Sequence, residues 1–384
     1  MLLDYETLKF VWWLLVGILL IGFAITDGMD MGVGTLLPFI GKTDSERRVV
    51  INSVAPHWDG NQVWLITAGG AIFAAWPAVY AAAFSGFYLA MLLVLAGLFF
   101  RPVGFDYRSK LEDPQWRNAW DWGLFAGGTI PALVFGIAFG NLLQGVPFHL
   151  DQFLKPHYDA WFIWALLGLL NPFALLAGLI SVAMLSTHGA AWLQLRADDI
   201  IAERAKKAIL YLGPFVTVAF ALAGLWLYFG IDGYKIVSQP PHDALPNPLG
   251  KEVVRDAAAW FQNYANYPVA VLAPILGLAG PLLVVGLSQM NRPALAYTMN
   301  ALSMAGIIAT AGISMFPFIM PSSSVPNSSL TVWDAPSSHL TLTIMFWAVV
   351  IFLPIVLAYT VWAYSAMWGK ITIEDIEQRN HEVY

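Results

Sequence analysis

Eight long runs of the sequence contain no Asp, Glu, Lys or Arg, and these runs restrict the fold more than any other feature. A transmembrane helix needs about 20 consecutive apolar residues, and each run is long enough for at least one. In lipid only α-helices and closed barrels satisfy their backbone polar groups, and the runs are too long for the roughly ten-residue strands of a barrel. The sequence therefore predicts an all-α, polytopic membrane protein. The runs are residues 10–26, 60–100, 122–150, 160–195, 208–231, 257–291, 293–333 and 335–369.

The composition excludes several functional classes. Hydrophobic residues make up 58% of the 384 residues and charged residues only 11%, which is too apolar for the surface of a soluble enzyme. The absence of cysteine excludes disulfides and metal sites held by thiolates. No Walker loop, HExxH or GxSxG motif occurs, so we expect neither nucleotide hydrolysis nor a nucleic-acid partner.

The lengths of the runs give the number of spans. The run 60–100 has 41 residues, twice the length of a span, and Trp76-Pro77 near its middle disfavours a continuous helix, so we interpret it as a helical hairpin. Every other run supplies one span, which gives nine spans in a single membrane domain over residues 1–384. The polar stretch 321–329 contains two prolines and is predicted to be a surface loop after the eighth span.

The positions of Lys and Arg predict the orientation. An odd number of spans places the termini on opposite sides, and Lys and Arg are enriched on the cytoplasmic side. With the N-terminus outside and the C-terminus in the cytoplasm, 14 of these residues face inward and five face outward, and the largest loop, about 232–260, is external. The inner residues are Lys42, Arg47, Arg48, Arg101, Arg108, Lys110, Arg117, Arg196, Arg204, Lys206, Lys207, Arg292, Lys370 and Arg379; the outer residues are Lys9, Lys155, Lys235, Lys251 and Arg255.

Ionisable residues gather at the inner ends of the first three spans. Asp27 and Asp30 leave the first span, His57 and Asp59 enter the second, and Arg101 leaves the third. Charged groups near the membrane interior are costly, which makes them candidates for function. Burial and a neighbouring arginine shift a carboxyl group in opposite directions, so such a cluster is suited to a proton relay. We therefore expect these residues to admit cytoplasmic protons.

A structural role remains an alternative for each residue of this group. Asp27 could end its helix with Gly28 supplying backbone freedom, and Asp59 could stabilise the start of the next helix, where the helix dipole favours a carboxylate. Arg101 and Asp106 could form a surface ion pair. Each of these roles explains one residue without any part in chemistry.

The histidines limit the cofactors that the chain can hold. Only His57 and His188 lie near inner span ends, whereas a bis-histidine heme needs two histidines at matching depth on facing helices. We expect no heme or metal ligated by this chain, with His57 in a hydrogen bond or proton relay and His188 at the membrane interface. The other histidines lie in loops, at a span boundary or in the tail: His149, His157, His242, His339 and His381.

Several segments resemble subunit II of the cytochrome bd-type ubiquinol oxidases. The resemblance runs nearly end to end, although residues 149–163 and 236–250 match none of the motifs. The segments that carry it include Gly22-Phe-Ala-Ile-Thr-Asp-Gly-Met-Asp-Met-Gly-Val-Gly34, Ala55-Pro-His-Trp-Asp-Gly-Asn-Gln-Val-Trp-Leu65, Phe100-Arg-Pro-Val-Gly-Phe-Asp-Tyr-Arg108, Gly140-Asn-Leu-Leu-Gln-Gly-Val146, Ala311-Gly-Ile-Ser-Met-Phe-Pro317 and Ser329-Leu-Thr-Val-Trp-Asp334.

The resemblance implies a heme-free, nine-span subunit of a bacterial inner-membrane oxidase, built as two four-helix bundles plus one extra C-terminal helix. The partner, subunit I, would ligate the b and d hemes and oxidise quinol, and small accessory subunits and bound lipid would complete the complex. In that family the acid matching Asp59 lies on a route for cytoplasmic protons, and the tryptophan matching Trp64 lines a path for dioxygen. Arg101 would serve that path or pair with a charge, and some members hold a ubiquinone in subunit II.

Two other functions compete with this reading. A purely structural assembly subunit would carry the acidic residues without using them. A proton-coupled secondary transporter would use them for coupling, but such proteins bind their substrates near the bilayer midplane through broken helices. Here the ionisable residues lie at one boundary, which favours the oxidase subunit.

Overall fold

The computed structural model describes residues 3–160, 163–197, 199–378 and 384, and helices dominate it. Arg379 and His381, which entered the predictions above, lie outside these residues. The α-helices are α1 (Tyr5–Ile40), α2 (Asp44–Asn52), α3 (Trp58–Ala75), α4 (Pro77–Gly86), α5 (Tyr88–Tyr107), α6 (Pro114–Gln144), α7 (Ile163–Leu169), α8 (Pro172–Arg196), α9 (Asp199–Gly230), α10 (Gln262–Asn266), α11 (Leu272–Gln289), α12 (Pro293–Met315), α13 (His339–Ala366) and α14 (Ile373–Gln378).

Eight of the helices in the described residues are long and apolar enough to cross a membrane: α1, α5, α6, α8, α9, α11, α12 and α13. The prediction of a polytopic helical protein is therefore confirmed. The expected second span corresponds to α3, which has 18 residues but opens with the polar sequence Trp58-Asp-Gly-Asn-Gln. This polar start leaves α3 outside the set of eight.

Helix α1 lies at the centre of the bundle and packs against α3, α6, α8 and α12. Its 36 residues would extend about 54 Å, well beyond the 30 Å hydrocarbon core of a bilayer. Glycines allow its neighbours to come close. A Cβ at Gly32 would collide with the backbone carbonyl of Leu185 in α8, and a Cβ at Gly34 would lie 2.9 Å from the carbonyl oxygen of Leu124 in α6.

The run 60–100 is broken near Trp76 as predicted, but the connection is longer than a simple turn. Helix α3 ends at Ala75, the short α4 starts at Pro77, and a second break at Phe87 precedes α5. The two long arms pack against different partners, α3 mainly against α1 and α5 mainly against α6. The hairpin is therefore splayed around the centre of the bundle.

The expectation of an all-α chain is corrected in the loops, which form three antiparallel strand pairs. Residues between spans pair as strands here because a short hairpin satisfies backbone groups that no helix reaches. The strands are β1 (Phe148–Leu150), β2 (Pro156–Tyr158), β3 (Gly233–Ser238), β4 (Glu252–Asp256), β5 (Phe318–Met320) and β6 (Leu330–Thr331); short 3₁₀ helices lie at Arg108–Lys110, Ala259–Phe261, Pro268–Val271 and Pro326–Ser328.

The stretch 321–329 is a loop as predicted, but much of it is not on the surface. Ser322, Ser328 and Ser329 are buried. Their hydroxyls are satisfied by backbone groups: Ser322 donates to the carbonyl of Phe148, and Ser329 accepts from the amide of Ser322 at 2.9 Å. Serine side chains can therefore be buried here without unpaired polar atoms.

Burial differs strongly between the long helices. In α8, 72% of the most apolar 18-residue window is buried inside the chain, whereas in α13 the fraction is 6%. Only Leu342 of α13 is buried. Helix α8 is thus part of the protein core, and α13 presents nearly its whole apolar surface to its surroundings.

Candidate functional site

An ion pair between α1 and α5 is the centre of the candidate site. Arg101 donates two hydrogen bonds to Asp27, from Nη1 at 2.9 Å and from Nη2 at 2.5 Å. Both residues are buried. The structural alternatives considered for them are wrong, because α1 continues through Asp27 to Ile40 and Arg101 pairs with this aspartate, whereas Asp106 is exposed.

Asp30 lies one turn further along α1 and is also fully enclosed. Its Oδ2 accepts a hydrogen bond from Asn61 Nδ2 at 2.8 Å and lies 3.7 Å from Arg101 Nη2. Its Oδ1 has no hydrogen-bond partner and lies 4.0 Å from Nδ1 of His57. We call Asp27, Asp30, His57, Asn61 and Arg101 the buried acid cluster. It contains four of the residues that the sequence singled out.

Tyr364 of α13 joins this cluster, and sequence reasoning missed it. Its hydroxyl donates to Asn61 Oδ1 at 2.7 Å, and its ring stacks on His57 with the centroids 4.6 Å apart. Asn61 lies in the segment Ala55–Leu65 that carries the family resemblance, so it was open to prediction. Tyr364 carried no comparable signal, because it lies 303 positions from Asn61.

Asp59 and Trp64 lie on α3 but outside the buried acid cluster. Asp59 is in the first turn of α3 and is exposed, and it makes no hydrogen bond or ion pair among the described residues. That position agrees with a dipole-stabilising role at a helix start. Trp64 is half-buried, and its ring packs so closely on α1 that a Cβ at Gly22 would lie 2.7 Å from it. The structure therefore separates these two residues from the acids of α1.

His188 is not at an interface as expected but fully buried in α8. Its Nε2 donates to the carbonyl of Ile25 at 3.0 Å, and its ring stacks on Tyr297 at 4.4 Å. Together with the stacking of His57 on Tyr364, this leaves both imidazole rings covered by aromatic side chains, an arrangement that does not fit a pair of heme ligands. Among the described residues, no group of three or more His, Asp or Glu side chains is arranged to hold a metal.

A second set of charges lies near the start of α6 and is paired throughout. Asp121 is buried and accepts from Arg108 Nε at 2.6 Å and from Arg47 Nη1 at 2.7 Å. Asp44 lies 3.0 Å from Arg108 and 2.6 Å from Arg117. This network ties α2 to α6 and to the 3₁₀ helix after α5, and sequence analysis did not identify Asp121 as its centre.

Glu46 of α2 forms a related contact with α9. It accepts hydrogen bonds from Arg204 at 2.6 and 3.2 Å and from the backbone amides of Lys42 and Thr43. Burial of Glu46 raises its pKa, but the hydrogen bonds from Arg204 and from the two amides outweigh that cost, so the pKa of Glu46 lies below its ordinary value. The residue is therefore held as a carboxylate that joins two helices.

At the opposite end of α1, Lys9 fixes the largest loop. The ammonium group is buried and donates to the carbonyls of His242 at 2.7 Å, Ala244 at 3.0 Å and Trp333 at 2.8 Å. Its position under the loop was not predicted, although Lys9 is a lone cation at the edge of an uncharged run. Three carbonyl dipoles replace the water that the ammonium group loses.

Lys251 in the same loop is buried beside Asp334, with the charged atoms 2.9 Å apart. Burial lowers the pKa of Lys251 below its ordinary value, and the nearby carboxylate of Asp334 offsets part of that effect. The loop 232–260 is thus packed against the residues that follow α12.

Two cavities lie outside the buried acid cluster. A cavity of about 780 Å³ between α1, α6, α8, α9, α11 and α12 is almost entirely apolar, and it is lined by Leu20, Phe23, Phe135, Phe220 and Ile307 among others. A second cavity of about 660 Å³ lies beneath the loop 232–260 and mixes aromatic with polar side chains, among them Trp13, Gln239, His242, Asn263 and Trp333. Neither is lined by His57 or His188.

These features define a polytopic membrane protein with buried ion pairs between its helices and a large apolar cavity in its interior. Comparison with known proteins then gives the family. The family model described as cytochrome bd terminal oxidase subunit II matches residues 8–367. The chain is 57% identical over 383 residues to cytochrome bd-I ubiquinol oxidase subunit 2 of Escherichia coli K12, with 100% of each chain covered.

Two further comparisons agree. The chain is 54% identical over 384 residues to the probable cytochrome oxidase subunit 2 of Haemophilus influenzae, again with 100% of both chains covered. A chain of the bd oxidase structure from Geobacillus thermodenitrificans has the same fold, with a TM-score of 0.67 at 15% identity, covering 95% of this chain and 100% of that one.

The chain belongs to the family of cytochrome bd terminal oxidase subunit II. It is therefore a subunit of a terminal respiratory oxidase, an oxidoreductase complex, and a multi-pass protein of the bacterial inner membrane. The family resemblance seen in the sequence is confirmed. As subunit II it works with a subunit I, in a complex that contains hemes.

Proposed function

We propose that this chain is the heme-free subunit that supplies cytoplasmic protons to dioxygen reduction on a heme-bearing subunit I. The observation that carries the proposal is the buried acid cluster, in which two fully buried carboxyl groups share one guanidinium. The other buried acids among the described residues each have a cation of their own: Asp121, Glu46 and Asp334. Burying charged groups at such a depth costs free energy, and this makes them candidates for a functional role. Quinol oxidation and the b and d hemes belong to subunit I in this proposal.

The membrane arrangement follows the sequence prediction. We place the N-terminus outside and the C-terminus in the cytoplasm, with the loop 232–260 external. Helix α3, the second span in chain order, brings the eight long apolar helices to nine spans. Two four-helix bundles and the extra helix α13 then form one membrane domain. The almost completely exposed α13 and the polar start of α3 support this arrangement, because partner subunits and lipid would cover them.

Asp59 is the proposed entry point for protons. It is exposed at the start of α3, two residues before Asn61, and has no partner within the described residues. Water and subunit I can therefore reach it, whereas Asp27 and Asp30 are reachable only through the protein. Protons would pass from Asp59 towards His57 and the acids of α1, with Arg101 holding Asp27 ionised.

Trp64 and the larger cavity suggest two apolar ligands. Trp64 borders α1 above the buried acid cluster and remains half-buried, as expected for a residue that lines a dioxygen path beside a partner subunit. The apolar cavity of about 780 Å³ has the size and lining of a site for an isoprenoid tail. We therefore assign it to a bound ubiquinone.

A purely structural assembly role is the second candidate. It is favoured by the exposure of Asp59 and by the tight pairing of Asp27 with Arg101, which would also serve to lock α1 to α5. No described contact favours a proton-coupled transporter.

Replacement of Asp59 by Asn in the assembled oxidase distinguishes the two roles. A proton-path function predicts slower oxygen consumption with quinol while assembly and heme content stay unchanged, and loss of a proton-transfer group typically costs 10²- to 10⁴-fold in the affected step. The matched control is Asp106→Asn, because Asp106 is an exposed acid near the same end of the molecule. Full turnover of the assembled Asp59→Asn enzyme would leave Asp59 only a structural role.

A further inference from the structure

The buried acid cluster contains two carboxyl groups and only one permanent cation, Arg101. Arg101 is committed to Asp27 by two hydrogen bonds, at 2.9 and 2.5 Å, and approaches Asp30 only to 3.7 Å. Because a bidentate guanidinium pair satisfies one carboxylate, Asp27 is the ionised member. A second negative charge on fully buried Asp30 would have no cation of its own.

The groups around Asp30 do not supply that charge. They come from α3, α8, α12 and α13, and apart from Arg101 and Arg196 they are uncharged donors and rings. They are Asn61 of α3, His57 just before α3, Tyr297 of α12, His188 of α8 and Tyr364 of α13, with Arg196 of α8 acting on His57. Arg196 itself lies between the rings of Trp192 and Trp368. Helix α6 also packs against this part of α1, where it places Gly128 against the backbone of Met31.

The hydrogen bonds fix the direction of Asn61. Its Oδ1 accepts from the hydroxyl of Tyr364, so its Nδ2 must point the other way, and that nitrogen lies 2.8 Å from Asp30 Oδ2 and 3.3 Å from His57 Nδ1. An amide nitrogen carries two protons and can serve both acceptors. His57 Nδ1 is then an acceptor, in the neutral form of the ring.

We propose that Asp30 is the carboxyl group of this cluster that holds and releases a proton, and that Tyr364 is a positioning residue that orients it through Asn61. The proton sits on Oδ1, the atom without a partner, which faces the acceptor Nδ1 of His57 at 4.0 Å. At that distance one water completes the transfer. During uptake, a proton arriving from Asp59 forms an N–H bond at Nδ1 of His57. That bond then breaks as the water passes a proton to Oδ1 and the O–H bond of the carboxyl forms, so the imidazole returns to its neutral form and the water is regenerated. The inference rests on the proposed proton-supply function and specifies the group that performs it.

The position of Tyr364 gives α13 a defined part in the buried acid cluster. Most of α13 is exposed, and Leu342, its buried residue, lies near the opposite end. Tyr364 is therefore the point at which α13 reaches the cluster. Without its hydroxyl, Asn61 is free to rotate and present its carbonyl oxygen to Asp30, which places two acceptors face to face.

The test is infrared spectroscopy and turnover of the intact oxidase complex carrying Asp30→Asn, Tyr364→Phe or the control Tyr359→Phe. Tyr359 is an exposed tyrosine of the same helix. We expect the carbonyl-stretch band of one protonated carboxylic acid to be absent in Asp30→Asn and shifted in Tyr364→Phe. We also expect Tyr364→Phe to lower turnover about two- to tenfold, as for one lost hydrogen bond, and to displace its pH profile. Tyr359→Phe should match the unmodified enzyme in all three measurements.

Two results would overturn the proposal: a carboxylic-acid band that persists in Asp30→Asn, or an unchanged band and pH profile in Tyr364→Phe. If Asp30→Asn does not assemble, Tyr364→Phe decides alone, because it keeps the ring and its stacking on His57. The carboxylic-acid band is measured on enzyme that is not consuming oxygen, so it does not depend on the role of Asp59. Normal turnover of the Asp59→Asn enzyme would therefore refute the proton-entry role and leave the assignment of the Asp30 proton to be judged separately.

Discussion

Arg101 and Asp27 lie 74 positions apart in the chain, yet two hydrogen bonds join them inside the helix bundle, where neither side chain reaches water. Arg101→Gln would leave Asp27 and Asp30 buried without a cation. Breaking a buried pair by removing one partner costs about 3–5 kcal/mol, so we expect a large loss of assembled oxidase in the membrane. The yield of purified complex per unit of membrane measures it.

The matched control for this prediction is Arg117→Gln. Arg117 pairs with Asp44 at 2.6 Å, but the two side chains are 20% and 40% exposed. Exposed pairs contribute about 0–1 kcal/mol, so the yield should remain close to normal. Equal losses in the two variants would mean that the burial of Arg101 does not determine its contribution.

Glu46→Gln should weaken the attachment of α2 to α9, because the amide replaces a carboxylate that accepts from Arg204 and two backbone amides. Loss of a charge-assisted hydrogen bond corresponds to about 1.5–3 kcal/mol. The pKa of Glu46 is lowered on folding, so its stabilisation is complete above its ordinary pKa of about 4.5 and disappears as the pH falls through the lower folded value. Thermal unfolding of the purified complex at pH 7 and at decreasing pH measures both effects. A variant whose deficit relative to the unmodified enzyme is the same at every pH would contradict this account.

The apolar architecture was predictable because transmembrane helices are encoded locally. Each uncharged run is long enough to span lipid, and Trp76-Pro77 marks a real break. The end of the first span was placed too early, at residues 26–27, because a carboxylate usually marks the membrane boundary. In the structure α1 continues through Asp27, since Arg101 neutralises that charge from another helix.

The candidate site was predictable only in part, for the same physical reason. Asp27, Asp30, His57 and Arg101 were found because charges near apolar runs are conspicuous. Which of them touch depends on helix packing, so the pairing of Arg101 with Asp27 rather than Asp106 was missed. Tyr364 was not selected because tyrosine is common near the ends of transmembrane helices.

Lys9→Met should loosen the loop 232–260 without unfolding the helices. The thioether cannot donate to the half-buried carbonyls of His242, Ala244 and Trp333, so each of them loses a hydrogen bond. Each unsatisfied group costs about 1–3 kcal/mol. Limited proteolysis of the complex should cleave this loop faster. Lys235→Met is the control, because Lys235 is exposed in β3, and equal cleavage rates in the two variants would show that Lys9 does not fix the loop.

Gly32→Ala should impair assembly although alanine is the better helix former. A Cβ at residue 32 would meet the carbonyl oxygen and carbon of Leu185 and the amide of Gly189, all backbone atoms of α8 that no rotamer change can move. Helices α1 and α8 would have to separate, and overpacking of this kind costs about 1–3 kcal/mol. Gly17→Ala on the same helix is the matched control, because nothing lies within 4 Å of its Cβ position. Relative to glycine it should be neutral or stabilising by up to about 1 kcal/mol. Thermal stability of the two purified complexes separates the effects, and a Gly32→Ala enzyme as stable as Gly17→Ala would show that α1 and α8 can part here without cost.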